Sequence, residues 1–136
     1  MLMLMKPTHL PLRPFDADAV WLAAVTNEER ELQHAYRCGL YRFYDADRAL
    51  LYVGISRNLA DRWNWHRCKT DWYSRARYVA LSFYPDRHDA FRAEASAIRA
   101  QNPLFNVLRC KPARSKKDRV DDSLYAPPLA RLPEED

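Results

Sequence analysis

Only two glycines occur among the 136 residues of this chain, and each closes a tripeptide with a tyrosine, Gly39-Leu40-Tyr41 and Tyr52-Val53-Gly54. Glycine serves where a backbone must take positive φ or where another group must approach closely, so a chain that keeps two has few such places. Both border one stretch of period two, in which Leu40, Arg42 and Tyr44 alternate with Tyr41 and Phe43. Asp45-Ala46-Asp47-Arg48 supplies turn chemistry before Leu50 starts back toward Gly54. The pattern predicts a β-hairpin whose outer ends are the two glycines. Leu51 and Val53 are expected on the opposite face from Tyr52, filling the core and leaving Tyr52 at or near the surface.

The flanking segments follow from caps and periods. Pro7, Pro11 and Pro14 predict an extended run over the surface. A helix is expected from Asp16 or Asp18 as N-cap, burying Val20, Trp21, Ala24 and Val25. Thr26 with Glu29 forms a capping-box pattern for a second helical stretch to about Tyr36. After the hairpin, Asn58 caps a helix to about Lys69 with Leu59 and Trp63 inward, and Tyr78 to Tyr84 alternates as a third strand. A last helix, Arg87 to Gln101, carries Phe91, Ala95 and Ile98 as its apolar stripe and stops at Asn102-Pro103. The expected fold is α+β, a small three-stranded antiparallel sheet flanked by helices, with an N-terminal helical extension over residues 1–37. A central domain is expected over 38–110, and a basic then acidic tail, poorly ordered from about residue 112, over 111–136.

Composition narrows the partners. The net charge is +4, and residues 39–106 hold eleven of the basic groups against seven acidic, so the excess lies in the central segment. Cys38, Cys68 and Cys110 are far apart with no Cys-x-x-Cys pair, which argues for reduced thiols in a cytoplasmic protein and against a zinc module. The Met1–Met5 run is too short for a signal core and no stretch approaches a membrane span, so neither export nor membrane insertion is expected.

Arg62 and His66 stand four apart on the predicted helix, Glu94 lies in the last helix, and Asn106 follows Pro103-Leu104-Phe105. With the two tripeptides, these six positions resemble the GIY-YIG endonuclease family in residue type, order and spacing, over residues 38 to about 108. The resemblance implies hydrolysis of phosphodiester bonds in DNA with one divalent metal, Mg²⁺ or Mn²⁺. Two swaps, Leu40 and Val53 for the isoleucines of the family name, conserve volume in strands. Ile55 stands where the excision-repair branch often has a lysine, which leaves Arg57 as a substitute cation. Asp71-Trp72-Tyr73 resembles an aromatic segment of small stand-alone members, to pack on the sheet or to stack an unpaired base.

The residue chemistry suits the reaction. Tyr41 is a candidate general base, although a phenol of reference pKa about 10 needs nearby cations to act near neutrality. Tyr52 can hydrogen-bond the attacking water or a phosphate oxygen. Arg62 offers a planar fork for phosphate, and His66 a proton for the leaving group or a hold on the scissile phosphate. Glu94 suffices as metal ligand, since hard cations commonly take one or two carboxylates and complete their shell with water and phosphate. Asn106 is assigned to orient Glu94. Gly39 and Gly54 are supporting residues, and Arg57, Arg62, Arg67, Lys69, Lys111, Lys116 and Lys117 are candidate nucleic-acid contacts. Each position also has a plain reading, as a sheet aromatic, a solvated helix charge or a turn former.

The expected function is a metal-dependent DNA endonuclease of weak sequence preference, with RNA an open alternative substrate. A non-catalytic DNA-binding or interaction module on the same fold is the alternative. A monomer is favoured, against a third reading in which the helical extension pairs with another subunit.

Overall fold

The computed structural model describes residues 6–106. A mixed α/β fold results, in which an antiparallel five-stranded sheet carries helices on both faces. In chain order the elements are β1 (Thr8–His9), β2 (Arg13–Pro14), a 3-10 turn (Trp21–Ala24), α1 (Asn27–Ala35), β3 (Cys38–Tyr44), β4 (Leu50–Ser56), α2 (Leu59–Lys69), a second 3-10 turn (Tyr73–Arg75), β5 (Tyr78–Tyr84) and α3 (Arg87–Gln101). β3 lies between β4 and β5, and β1 and β2 both pair with the outer edge of β5.

β3 is covered on both sides, so all seven of its residues are buried. Tyr41 and Phe43 face an aromatic core with Leu59, Trp63, Trp72 and Tyr73, while Leu40 faces Val53, Ala90, Ala93 and Ala97. The small alanines let α3 lie close to the sheet. The hairpin forms as the alternation predicts. In its turn, Asp45 Oδ1 accepts from the backbone of Asp47 and Ala49, both at 2.9 Å. The register then slips between Phe43 and Tyr44, leaving Leu51 as the extra residue. That bulge turns Leu51 into the aromatic core beside Tyr52, so Leu51 and Val53 do not share a face as the simple alternation predicts.

The N-terminal segment departs most from expectation. The sheet has five strands instead of three, because the proline-spaced segment lends its backbone to β5, with Leu10 N donating to Leu81 O and Phe15 N to Arg77 O, both at 2.8 Å. Phe15 does not run over the surface: its ring meets Phe43 at 4.9 Å and Trp63 at 5.4 Å between centroids. No helix starts at Asp16 or Asp18. Asp16 instead accepts from Asp18 N in a local turn, and Trp21 takes φ 52°, which ends regular helix. Ala24 and Val25 are buried as expected, whereas Val20, Trp21 and Leu22 are exposed.

The cap patterns hold. Thr26 and Glu29 form the reciprocal capping box of α1, and Asn58 caps α2 by accepting from Asp61 N. Glu29 has a second task, since its buried carboxylate takes both Nε and Nη2 of Arg13, at 2.6 and 2.8 Å, and so ties α1 to β2. In α3 the buried face is Ala90, Ala93, Ser96, Ala97 and Ile98, and Phe91, expected in the apolar stripe, is exposed. Asn102 ends the helix in the left-handed conformation.

β4 is the other edge of the sheet, and the chain after α3 covers it. Leu104 N and Phe105 N donate to Leu50 O and Leu51 O. Asn106 then clamps Val53, its Oδ1 accepting from Val53 N at 2.8 Å and its Nδ2 donating to Val53 O at 2.9 Å. Asn106 therefore acts as a strand partner for β4, an engagement the assignment to Glu94 did not anticipate. Poor order was expected of the tail from about residue 112, which lies outside the described residues. Asn106→Ala is expected to strand two buried backbone groups and to cost about 2–4 kcal/mol. Hydrogen exchange should show it first at the Val53 amide; unchanged protection there would contradict the clamp.

Candidate active site

Tyr41 and Gly54 are direct partners across the hairpin. The Tyr41 ring lies over Gly54 so closely that a Cβ there would fall 2.9 Å from ring carbon Cε2 and nearer still to the hydroxyl end. Gly54 is thus kept not for positive φ, which neither glycine has, but to admit the tyrosine ring. At Gly39 a Cβ would meet only the edge of the Phe83 ring, at 3.3 Å.

From that seat the Tyr41 hydroxyl reaches His66 Nε2 on α2 at 2.8 Å. His66 is one turn beyond Arg62 but, unlike it, is buried, boxed by the rings of Tyr52 at 4.8 Å, Trp72 at 4.9 Å and Trp65 at 5.4 Å. Burial, with the Arg62 guanidinium adding to it, pushes the His66 pKa down to about 3, so the imidazole is neutral and offers a lone pair. Burial likewise pushes the Tyr41 phenol well above its usual range, Tyr52 adding to the shift and Arg62 opposing it. In this arrangement Tyr41 is a protonated phenol. The other ring nitrogen of His66, Nδ1, is buried and has no hydrogen-bond partner among the described residues.

Tyr52 is held differently. Its ring stacks on Trp72 at 4.7 Å and 16° and lies near-parallel to Tyr41 at 6.2 Å and 26°, so the half-buried phenol is held by its neighbours. Trp72 and Tyr73, the aromatic segment left between two roles by the sequence, are buried in this stack and in the core.

Tyr41, Tyr52, Gly54, Ile55 and Arg62 line one cleft of about 280 Å³ with Arg87, Phe91 and Glu94 of α3. The guanidinium of Arg62 sits 4.4 Å over the ring of Trp65. Partial burial works against the Arg62 charge, but the Tyr41 and Tyr52 phenols beside it more than offset this and hold it protonated. Glu94 is half-buried on the wall. Among the described residues no three His, Cys, Asp or Glu side chains converge, and Glu94 is the carboxylate that lines the cleft. That carboxylate fits a hard cation such as Mg²⁺ or Mn²⁺ and not a tetrahedral zinc site.

Of the residues singled out in the sequence, the cleft gathers Tyr41, Tyr52, Gly54, Arg62 and Glu94, with His66 behind Tyr41 and Asn106 behind β4. Gly39 is buried beside Phe83. Arg57 instead lines a second cleft with Arg30, Gln33 and His34, and Arg67 and Lys69 are exposed on α2. Lys111, Lys116 and Lys117 lie outside the described residues. Sequence reasoning passed over Arg87 and Phe91 as site residues. Their spacing with Glu94, at i, i+4 and i+7, was the available signal, because it places all three on one side of α3.

A family model described as the GIY-YIG catalytic domain matches residues 37–107, and the chain belongs to that family. Its similar proteins include UvrABC system protein C of Saccharophagus degradans, 32% identical over 77 residues, and that of Rickettsia akari, 30% identical over 79 residues. The matches cover 52% and 53% of this chain but 13% and 12% of those proteins, so the chain spans about an eighth of the relatives' length. No solved structure matches. Among the described residues, no helix is long and apolar enough to cross a membrane.

Gly54→Ala is expected to displace the Tyr41 ring and destabilise by about 1–3 kcal/mol, whereas Gly39→Ala should be near neutral. Urea unfolding of the two variants tests the order; equal effects would mean that Gly54 is no seat for the ring. His66 makes a second expectation. Its folded pKa lies below the ordinary 6.5, so between pH 6.5 and about 3 the unfolded chain binds the extra proton and stability falls with falling pH. Relative to His66→Gln, the native protein should lose roughly 3 kcal/mol between pH 6.5 and 4, read by thermal unfolding. Parallel profiles would place the imidazole in water.

Proposed function

We propose that this chain is an endonuclease that hydrolyses phosphodiester bonds in DNA with a divalent cation, Mg²⁺ or Mn²⁺. The observation that supports it most is the convergence of two phenols, two guanidinium groups and one carboxylate on a single cleft, all within the family-matched residues. Those groups match what in-line displacement at phosphorus requires.

Arg62 and Arg87 bind the scissile phosphate and meet the charge that grows on its oxygens. Glu94 is the residue that would hold the cation, which would supply Lewis-acid stabilisation at the phosphoryl oxygens and acidify the attacking water, whose proton would pass to solvent. Tyr52, its ring held by Trp72 and Tyr41, orients the attacking water by its hydroxyl. Tyr41 keeps its proton and shares it with His66, so its contribution is a fixed phenol at the cleft floor rather than a phenolate base. His66 acts through Tyr41 as its buried, neutral hydrogen-bond partner, a different role from leaving-group acid. The groups in the cleft reach phosphates and water and offer no array of side chains for base edges, which supports weak sequence preference.

The test is cleavage of supercoiled plasmid and branched DNA with Mg²⁺ or Mn²⁺. Glu94→Ala and Arg62→Ala are each expected to lower the rate at least about 100-fold, and Arg87→Ala about tenfold, by removing charge stabilisation from the transition state. Cleavage that survives both of the first two substitutions would sink the assignment. Salt-dependent DNA binding without nicking under either metal would favour the non-catalytic module.

A further inference from the structure

The core of this protein is built from aromatic rings, yet three rings, Trp21, Trp65 and Phe91, are left about half exposed. Trp63, Tyr41, Phe43, Tyr73 and Phe83 are buried to within 1%, whereas Trp65 is 46% exposed and Phe91 48% exposed. Trp65 and Phe91 are tied to the cleft, Phe91 as part of its lining and Trp65 through Arg62. Phe91 lines it directly, one helical turn from Arg87 and within a turn of Glu94. Trp65 carries the Arg62 guanidinium on its ring at 4.4 Å and leaves nearly half of its surface to solvent. Trp65 meets the buried His66 ring at 5.4 Å and still leaves nearly half of its surface to solvent, as does Phe91.

We propose that Trp65 and Phe91 are stacking platforms for unpaired bases beside the scissile phosphate, so that the cleft takes DNA carrying unpaired nucleotides in preference to continuous duplex. This deepens the nuclease reading and rests on it. Each ring belongs to the same helix, within one turn, as a cation that takes phosphate: Trp65 with Arg62 and Phe91 with Arg87. A phosphate-binding cation beside a solvent-exposed aromatic ring is the chemistry that holds single strands, because every base has a π-face and the backbone repeats the charge. In a continuous duplex those faces are already stacked on neighbouring bases, and exposing one costs unstacking. The other candidate platform, Trp72-Tyr73, is excluded by its burial. Val20, Trp21 and Leu22 are exposed as well, but Leu22 lines the second cleft and not this one.

Binding is measured in the Glu94→Ala background, where DNA stays whole, with two oligonucleotide substrates of one sequence. One is fully paired and the other holds a short unpaired bubble with 2-aminopurine at its centre. The protein is expected to bind the bubble at least about tenfold more tightly and to change the 2-aminopurine emission by stacking. Adding Phe91→Ala or Trp65→Ala should each weaken bubble binding roughly 5- to 50-fold while altering duplex binding less than about twofold. Phe91→Tyr and Trp65→Phe should keep most of the affinity, and Phe91→Leu should not. Arg62→Ala is the control for phosphate contact: it should weaken both DNAs alike and flatten the salt dependence.

Equal affinity for the two substrates overturns the proposal, as does an equal loss on both in Phe91→Ala, or full retention in Phe91→Leu. Retention of bubble preference in both alanine variants would leave the exposed rings to a protein partner and also overturns it. Cleavage by the unaltered protein is scored separately. Ring-dependent bubble binding without any cleavage would leave the stacking site standing and remove the nuclease reading. Cleavage of both substrates at one rate, indifferent to the rings, would do the reverse.

Discussion

The Tyr41 ring lies across Gly54 on the neighbouring strand, and its hydroxyl meets His66 on the helix that covers that face at 2.8 Å. This contact joins β3, β4 and α2 at one point, and the geometry of the cleft follows from it. Tyr52 is stacked against Tyr41, Trp72 is stacked against Tyr52, and His66 is enclosed among them. Any side chain at position 54 would lift the ring from its seat, loosening the hydrogen bond and the stack together. Close packing makes the site stiff, because each ring has little free volume in which to turn.

Burial also sorts the two tyrosines chemically. Tyr41 is enclosed, so its ionised form is disfavoured, and the neutral imidazole of His66 is its natural partner. Tyr52 is only half-buried, stacked on Trp72 and beside the Arg62 guanidinium. Two phenols from one hairpin can therefore serve different ends, one as scaffold and one toward the reacting groups. α3 closes the cleft from the other side, with Arg87 and Glu94 presented by a helix whose buried face is mostly alanine.

Much of the hairpin and of the helix caps was legible because these depend on neighbours in sequence. Asp45 organises its own turn, Thr26 and Glu29 cap each other, and Asn58 caps the helix it begins. Arg62, Glu94, Tyr41 and Tyr52 could be picked out by type and order, and the structure gathers them. Where reading failed, distant contacts had decided the outcome. The segment before Asp16 adds strands because β5 has a free edge, and Asn106 turns to Val53 because β4 has another. Phe91 fits a helical apolar stripe as well as Ala90 or Ala97 does, and only the closeness of α3 to the sheet selects the small residues for the inside.

The sequence by itself determined the hairpin, the strand Tyr78–Tyr84, the helices capped by Thr26 and Asn58, and which chemical groups the chain carries, since periodicity and capping act within a few residues. The tertiary structure alone decided which rings are buried and which stay open, why Gly54 must be glycine, that His66 sits behind Tyr41 instead of in the cleft, and that Arg87 joins Arg62. Those outcomes depend on residues far apart in the chain competing for the same space and the same unpaired backbone groups, and that competition is settled only when the sheet and its helices close together.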